Sequence, residues 1–197
     1  MNIFVLDDDV TACAQAHNNK HCVKMIVEYC QLMSSAHRLT DGVPRKIHME
    51  TKSGGIRQKL VHLLPGEVID YPDDGGYEIV NSKCYKETHE SHPCAIWTRE
   101  NSQNYEWLAL LTTELLDEYT HRYGRIHECS KVMEFLQNAP NKIRKSSSRT
   151  PFALAMPDEH RIKNDAVQSY RKYYNNDKAS FSKWTKREVP AWFSPAL

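Results

Sequence analysis

The sequence predicts a mainly α fold, a single-domain helical bundle with a short N-terminal strand and a small irregular or β insertion around 51–91. Two observations carry that expectation. Apolar residues recur at helical spacing over long stretches on either side of the insertion, and 40% apolar content with only seven glycines in 197 residues suits a packed core rather than a disordered chain. NIFVLD, ahead of three aspartates, reads as a short buried strand, with Asp8 or Asp9 free to cap the helix that follows. That helix runs from about residue 10 to Arg38, with a break at His17-Asn18-Asn19, where Asn favours caps and turns, and TDGVPRK ends it. Within 51–91 the turn signals SGG, LPGE, YPDDGG and NSK separate the short runs KLVHLL and YEIV, a pattern that fits a small β insertion or a long ordered loop. Helical character returns at His92-Pro93 and continues through Trp97, Leu108, Leu111, Leu115 and Tyr119 until Gly124. A shorter helix follows at Ser130 to Gln137, then a linker, NAPNKIRKSSSRTP. A last helix is expected from about Asn164 to Asn176, with KWTKREVPAWF packing back on the body. The organisation expected is one helical domain over 1–197, carrying the 51–91 insertion and a basic aromatic C-terminal subdomain at 139–197.

Function is sought first in His21 to Met33, HCVKMIVEYCQLM. At about 100° per residue, His21, Lys24, Glu28 and Gln31 share one narrow stripe, and nearly everything else in the stretch is apolar or aromatic. A surface helix shows the reverse proportion, so this one is expected to be packed on most sides, with its polar seam along a cleft. A buried helix that merely keeps a thin polar edge to solvent would give the same pattern. Lys24 and Glu28 lie one turn apart, where each bears on the other's ionisation, and His21 is a residue that titrates near neutrality.

Charge is unevenly distributed. Residues 1–141 hold 14 Lys and Arg against 20 Asp and Glu, a balance of −6, whereas 142–197 hold 12 against 5, a balance of +7. The basic part also carries Tyr170, Tyr173, Tyr174, Phe181, Trp184, Trp192 and Phe193. Cations interleaved with rings suit a phosphate backbone and exposed bases, which makes Arg171, Lys172, Tyr173, Tyr174 and Lys178 candidate nucleic-acid contacts; rings facing the core beneath a basic helix would look alike. Two further clusters are candidate anion sites. His92 and Arg99 flank the start of the central helix, and Arg122 and Arg125 lie at its end, where cations also favour the helix dipole.

Several chemistries are absent. Phosphate-binding loops and a serine nucleophile elbow are missing, and the six cysteines form no CxxC pair, so they read as reduced packing residues. His17 with His21 and His89 with His92 have ligand-like spacing, but no complete metal motif is present, and no metal or cofactor is assigned. The nucleophile is then an amine, a cysteine or water, and Lys24, in a largely apolar helix, is a candidate amine. MNIFVLDDDV lacks the basic start and cleavage site of a secretory signal and no stretch approaches a membrane span, so a cytoplasmic location without membrane attachment is expected; oligomeric state is left open.

The motifs KHxxKMxxExxQ, HPxxxWxR, RYGxxH and WTKRxxPxWF resemble those of a group of phage and bacterial proteins, which would place the chain in a host cytoplasm if phage-encoded. More distantly, the chain is similar to the pyrimidine-dimer DNA glycosylases of the phage endonuclease V type. Those small helical enzymes carry a His and a catalytic Glu seven residues apart on an early helix, as His21 and Glu28 are here. The resemblance implies a glycosylase and abasic-site lyase acting on a damaged or modified pyrimidine in DNA, with Glu28 placing charge near the sugar and His21 contacting phosphate or orienting the carboxylate. It implies attack by an amine and cleavage through an imine, on a nucleotide displaced from the stack. In the phage enzyme the amine belongs to a small residue exposed by removal of the initiator Met. Here residue 2 is Asn, too large for efficient trimming, and the arginines flanking that family's glutamate are replaced by Val27 and Gln31, so Lys24 is the amine considered in its place. Two other readings use the same residues: an enzyme acting on a free nucleotide or small phosphorylated ligand, and a non-catalytic phage module that binds nucleic acid or a host protein.

Overall fold

The computed structural model describes residues 1–50, 54–72 and 76–194. Its helices are α1 (Val10–Ala16), α2 (Asn19–Asp41), α3 (Pro93–Glu100), α4 (Ser102–Tyr123), α5 (Ser130–Leu136) and α6 (Ala166–Tyr173), and its strands are β1 (Val43–Glu50), β2 (Ile56–Leu63), β3 (Val68–Asp70) and β4 (Glu78–Val80). The core is the space between α2, α3 and α4, filled by Met25, Ile26, Leu32, Trp97, Leu108, Leu111 and Leu115 and closed by Met156, Tyr170 and Tyr174 from the C-terminal part.

The break between α1 and α2 falls where expected. Asp9 caps α1 by accepting from Ala12 N, and Asn18 caps α2 by accepting from His21 N. The central helix differs from expectation, because it is two helices. Asn101 ends α3 and caps α4, its side chain accepting from Asn104 N, while the Asn104 amide donates to Trp97 O at 2.8 Å. Gly124 stops α4 in a left-handed conformation, φ 67°. The last helix is shorter than expected as an α-helix, since Tyr174–Lys178 continues as a single wider π turn. The stretch 138–151 is non-helical as expected but is held to the body, with Ile143 buried and Thr150 bonded to Asn104.

NIFVLD is no strand. Ile3, Phe4, Val5 and Leu6 are buried, but side chains rather than a neighbouring strand bond their backbone. Phe4 N donates to the Tyr29 hydroxyl at 3.1 Å, Leu6 N to Cys13 Sγ at 3.3 Å, and Leu6 O accepts from Arg171 Nε at 2.8 Å. An apolar run buried on all sides gives the same sequence pattern whichever groups complete its hydrogen bonds.

The insertion is β, and it starts earlier than expected. β1 and β2 form an antiparallel hairpin beginning at Val43 and paired from Val43–Leu63 to Glu50–Ile56, and β3 and β4 form a second, short one. Ser53 of SGG and Asp73, Asp74 and Gly75 of YPDDGG lie outside the described residues. Gly42 lets α2 turn directly into β1, because a Cβ there would collide with the Arg38 carbonyl. The root of the arm is held by Arg38, whose buried guanidinium donates to both carboxylate oxygens of Glu67 (2.8 and 2.9 Å), to Tyr85 O, to His62 O and to Ser82 Oγ, with Glu87 at 3.8 Å. Burial pushes the Glu67 carboxyl up, but Arg38, Ser82 and the Leu64 N–H outweigh it and hold it below the usual carboxylate range. Arg38→Met is expected to cost about 3–5 kcal/mol in urea unfolding, since two carboxylates would remain buried without their cation. A loss under about 1 kcal/mol would mean the cluster is not what holds the arm.

Candidate active site

The polar stripe of α2 divides in the structure. His21 turns inward, stacked on Phe4 with ring centroids 4.3 Å apart, edge-on to Phe181, and hydrogen-bonded through Nδ1 to the Tyr174 hydroxyl. Burial above all, then the charges of His17, Lys178 and Lys24, pushes it down to about 2. A neutral, buried imidazole presents no cation to a phosphate, so contact with phosphate is withdrawn from His21; what it holds is Phe4. Gln31 is half-buried, and its carbonyl accepts from Ser35 Oγ at 2.9 Å. Lys24 and Glu28 do meet, Nζ to Oε1 at 3.1 Å, with the lysine side chain 61% exposed and the glutamate 13%. Lys24 therefore stands in water rather than in an apolar shell.

A second cation reaches Glu28 that sequence reasoning missed. The Met1 α-amine lies 3.6 Å from Glu28 Oε2, with the Met1 side chain only 3% exposed. The chain start is brought there by the buried run Ile3 to Leu6, in which Phe4 is packed among His21, Tyr170, Tyr173 and Tyr174. His92 borders the same pair. It caps α3 through Nδ1, which accepts from Cys94 N at 3.2 Å, and its proton affinity is lowered by burial, then by the Met1 amine and His89, against the pull of Glu28. Segment 82–92 reaches this point by running back along α2, with Tyr85 N donating to Ser34 Oγ and Thr88 N to Ser35 Oγ. The arrangement sets a primary amine beside a carboxylate, which is a nucleophile beside a group able to take and return its proton.

The remaining candidates scatter. Arg122 is buried and committed to Glu118 (2.6 Å), Asn19 Oδ1 and Gln15 O, and Arg171 to Leu6 O and Asp7, so neither offers its guanidinium to a phosphate. Tyr174 is fully buried, and Tyr173 packs on Phe4 while its hydroxyl accepts from Lys178 Nζ at 3.0 Å. The basic aromatic segment is in large part a packing element, which corrects the reading of Arg171, Tyr173 and Tyr174 as an open binding surface, as the partners of Arg122 correct it at the end of α4. Lys172 and Arg125 are exposed, the first donating to Glu159 O and the second lying over the Tyr119 ring. Arg99 is half-buried with Nη1 unpartnered. Among the described residues no group of three or more His, Cys, Asp or Glu converges as a metal site, and no helix is long and apolar enough to cross a membrane. A cleft of about 500 Å³ lies at the far end of α2 rather than at Glu28, and its polar walls His37 and Asp41 already bond Asn138 O and the Asn141 and Lys142 N–H groups.

A family model described as pyrimidine dimer DNA glycosylase matches residues 1–131. The chain belongs to the pyrimidine dimer DNA glycosylase family. Its activity is accordingly of the DNA glycosylase and lyase type, with DNA as partner. The matched stretch includes Met1, Glu28, His92 and both hairpins of this glycosylase and stops within α5, ahead of the C-terminal basic segment. No curated protein and no solved structure matches it.

The buried histidines give the glycosylase a pH-dependent stability. Burial pushes His17 down to about 4, as it does His21 to about 2, so unfolding takes up protons at both and stability, complete above the unfolded value near 6.5, falls as pH drops. At pH 5 each is expected to remove about 2 kcal/mol, read as urea midpoints between pH 7.5 and 5. A flat profile above pH 5 would contradict this.

Proposed function

We propose that this protein removes a damaged or modified pyrimidine from DNA with the Met1 amine as nucleophile and Glu28 as its proton carrier. The observation that carries the reading is the 3.6 Å approach of the chain's first amine to Glu28 Oε2, at a carboxylate whose other cation, Lys24, is exposed. The amine must shed a proton to attack, and Glu28 is the adjacent acceptor. The amine lone pair forms a bond to C1′, the glycosidic C1′–N bond breaks, and the base leaves with that electron pair and takes up a proton. Opening of the sugar ring then gives an imine between Met1 N and C1′, and Glu28 faces the positive charge of its protonated form. Loss of a C2′ proton with departure of the 3′ phosphate cleaves the strand, and water releases the amine.

His92 and Lys24 flank this pair; Lys24 would meet a phosphate of the displaced nucleotide as a cation, and His92, whose Nδ1 accepts from Cys94 N, would reach one only as a neutral Nε2–H donor. His21 and Tyr174 act through Phe4 as positioning residues, keeping the first residues of the chain on a fixed path. The test is borohydride trapping. Mixed with a duplex carrying an abasic site, the protein is expected to become covalently joined to the strand when borohydride reduces the imine. Absence of both an adduct and strand cleavage, on abasic and on lesion-bearing duplexes, would overturn the reading.

A further inference from the structure

We propose that the β1–β2 hairpin is a second DNA-binding element, an arm that grips the duplex flanking the lesion by its backbone phosphates. The proposal rests on the DNA-acting reading above but concerns a separate surface. The arm is built outward. Pro44, Lys46 and His48 of β1 and Ile56, Gln58 and Leu60 of β2, which alternate onto one face in the observed register, are all exposed. The opposite face is covered in part: Ile47 and Val61 are buried, and Lys59 Nζ donates to the Tyr77 hydroxyl beside β4. An isolated two-stranded ribbon is marginal in water, and this one stands because Arg38 locks its root. Strands of eight residues with their outer halves in solvent add little to the core, so their length serves something outside it.

Charge identifies that partner. Residues 43–63 hold five Lys and Arg against one acidic residue, in a part of the chain, 1–141, that is otherwise strongly acidic. Among the described residues Arg45, Lys46 and Arg57 form no ion pair. Lys46 lies on the open face with Glu50, and Arg45 and Arg57 lie on the other, all exposed, so the charge belongs to the arm as a whole; a second copy would bring like charge against it, whereas a nucleic-acid backbone neutralises it, and a two-stranded β-ribbon is of a size that the major groove admits. Spacing assigns the arm to flanking duplex. Gly42 follows Glu28 by fourteen residues, about 21 Å along α2, which corresponds to roughly six base pairs, and the strands that start there are themselves about 26 Å long.

The test compares the intact protein with the Arg45→Ala/Lys46→Ala/Arg57→Ala variant on duplexes of about 30 and about 10 base pairs, each with a central abasic site; the shorter reaches only about 17 Å from the site and stops short of the arm. On the long duplex the variant is expected to bind at least about tenfold more weakly near 0.1 M salt, with the slope of log affinity on log salt flattened by about 2 to 3. On the short duplex the two proteins should bind alike, and at saturating protein they should trap at the same rate. Unchanged affinity and slope on the long duplex would overturn the proposal, as would equal losses on both lengths. So would a concentration-dependent dimer that Ile56→Ser/Leu60→Ser abolishes, since the face would then seat a second copy. Arm-dependent binding without any imine adduct would overturn the chemistry assigned to Met1 while leaving the arm in place.

Discussion

Blocking the Met1 amine, by acetylation or by one added residue, is expected to reduce the borohydride-trapped adduct by at least about a thousandfold, while Lys24→Ala traps within a few-fold of the unaltered protein. The geometry makes the contrast sharp. Met1 is held by the buried run behind it, so its amine has one position, 3.6 Å from Glu28 Oε2. An added residue carries the new amine about 3.8 Å from that position, and misplacement by about 1 Å already costs on the order of a hundredfold. Acetylation leaves the atom in place but removes the lone pair that must form the bond. Lys24 contacts the same carboxylate from a solvent-exposed stem, and its loss removes a charge without removing the nucleophile. Proteolysis of the reduced adduct should place the modification on the peptide beginning at Met1. A modification on the peptide containing Lys24 would reverse the assignment.

Glu28→Gln is expected to lower the single-turnover rate of base release by about a thousandfold and to leave duplex affinity within about threefold. The amide keeps the shape of the side chain but can neither accept the amine's proton nor balance the charge that develops on the sugar. Affinity should hold because cations, not this carboxylate, meet the phosphates, and the loss of a negative charge favours binding if it changes it at all. Glu28→Asp, one methylene shorter, should lie between the two. A rate within about tenfold of the unaltered protein would show that the carboxylate is only the amine's ion-pair partner.

Glu28 was legible in the sequence and Met1 was not, and the difference is physical. The stripe at 21, 24, 28 and 31 is a local regularity, fixed by helical rotation, and it drew attention to Glu28 and its neighbour Lys24, which meet in the structure. The approach of residue 1 to residue 28 depends on the path of Ile3 to Leu6, which is set by Tyr29, Cys13 and Arg171 supplying hydrogen bonds across the fold. No local pattern encodes that. The family resemblance pointed to a terminal amine, but the size of Asn2 directed attention to Lys24 and away from Met1 itself. The C-terminal segment was misread for another reason. Alternating cations and rings describe an open binding surface and a packed one equally well, and only the partners of Arg171, Tyr173 and Tyr174 tell them apart. In the arm, Pro44 and the turn-rich composition that follows drew the boundary too late, although β1 already alternates from Val43.

The single helix α2 carries Glu28 at its middle and, through Arg38 and Gly42, the root of the arm at its end. It therefore serves as a ruler whose graduations are angular as well as linear. Inserting one residue between Glu28 and Arg38 would swing the arm about 100° around the helix axis and carry it off any duplex seated over Glu28. Insertion of seven residues restores the direction to within about 20° and moves the arm about 10.5 Å, close to three base pairs. Relatives that grip DNA at a different distance from the lesion are expected to differ in this helix by whole pairs of turns.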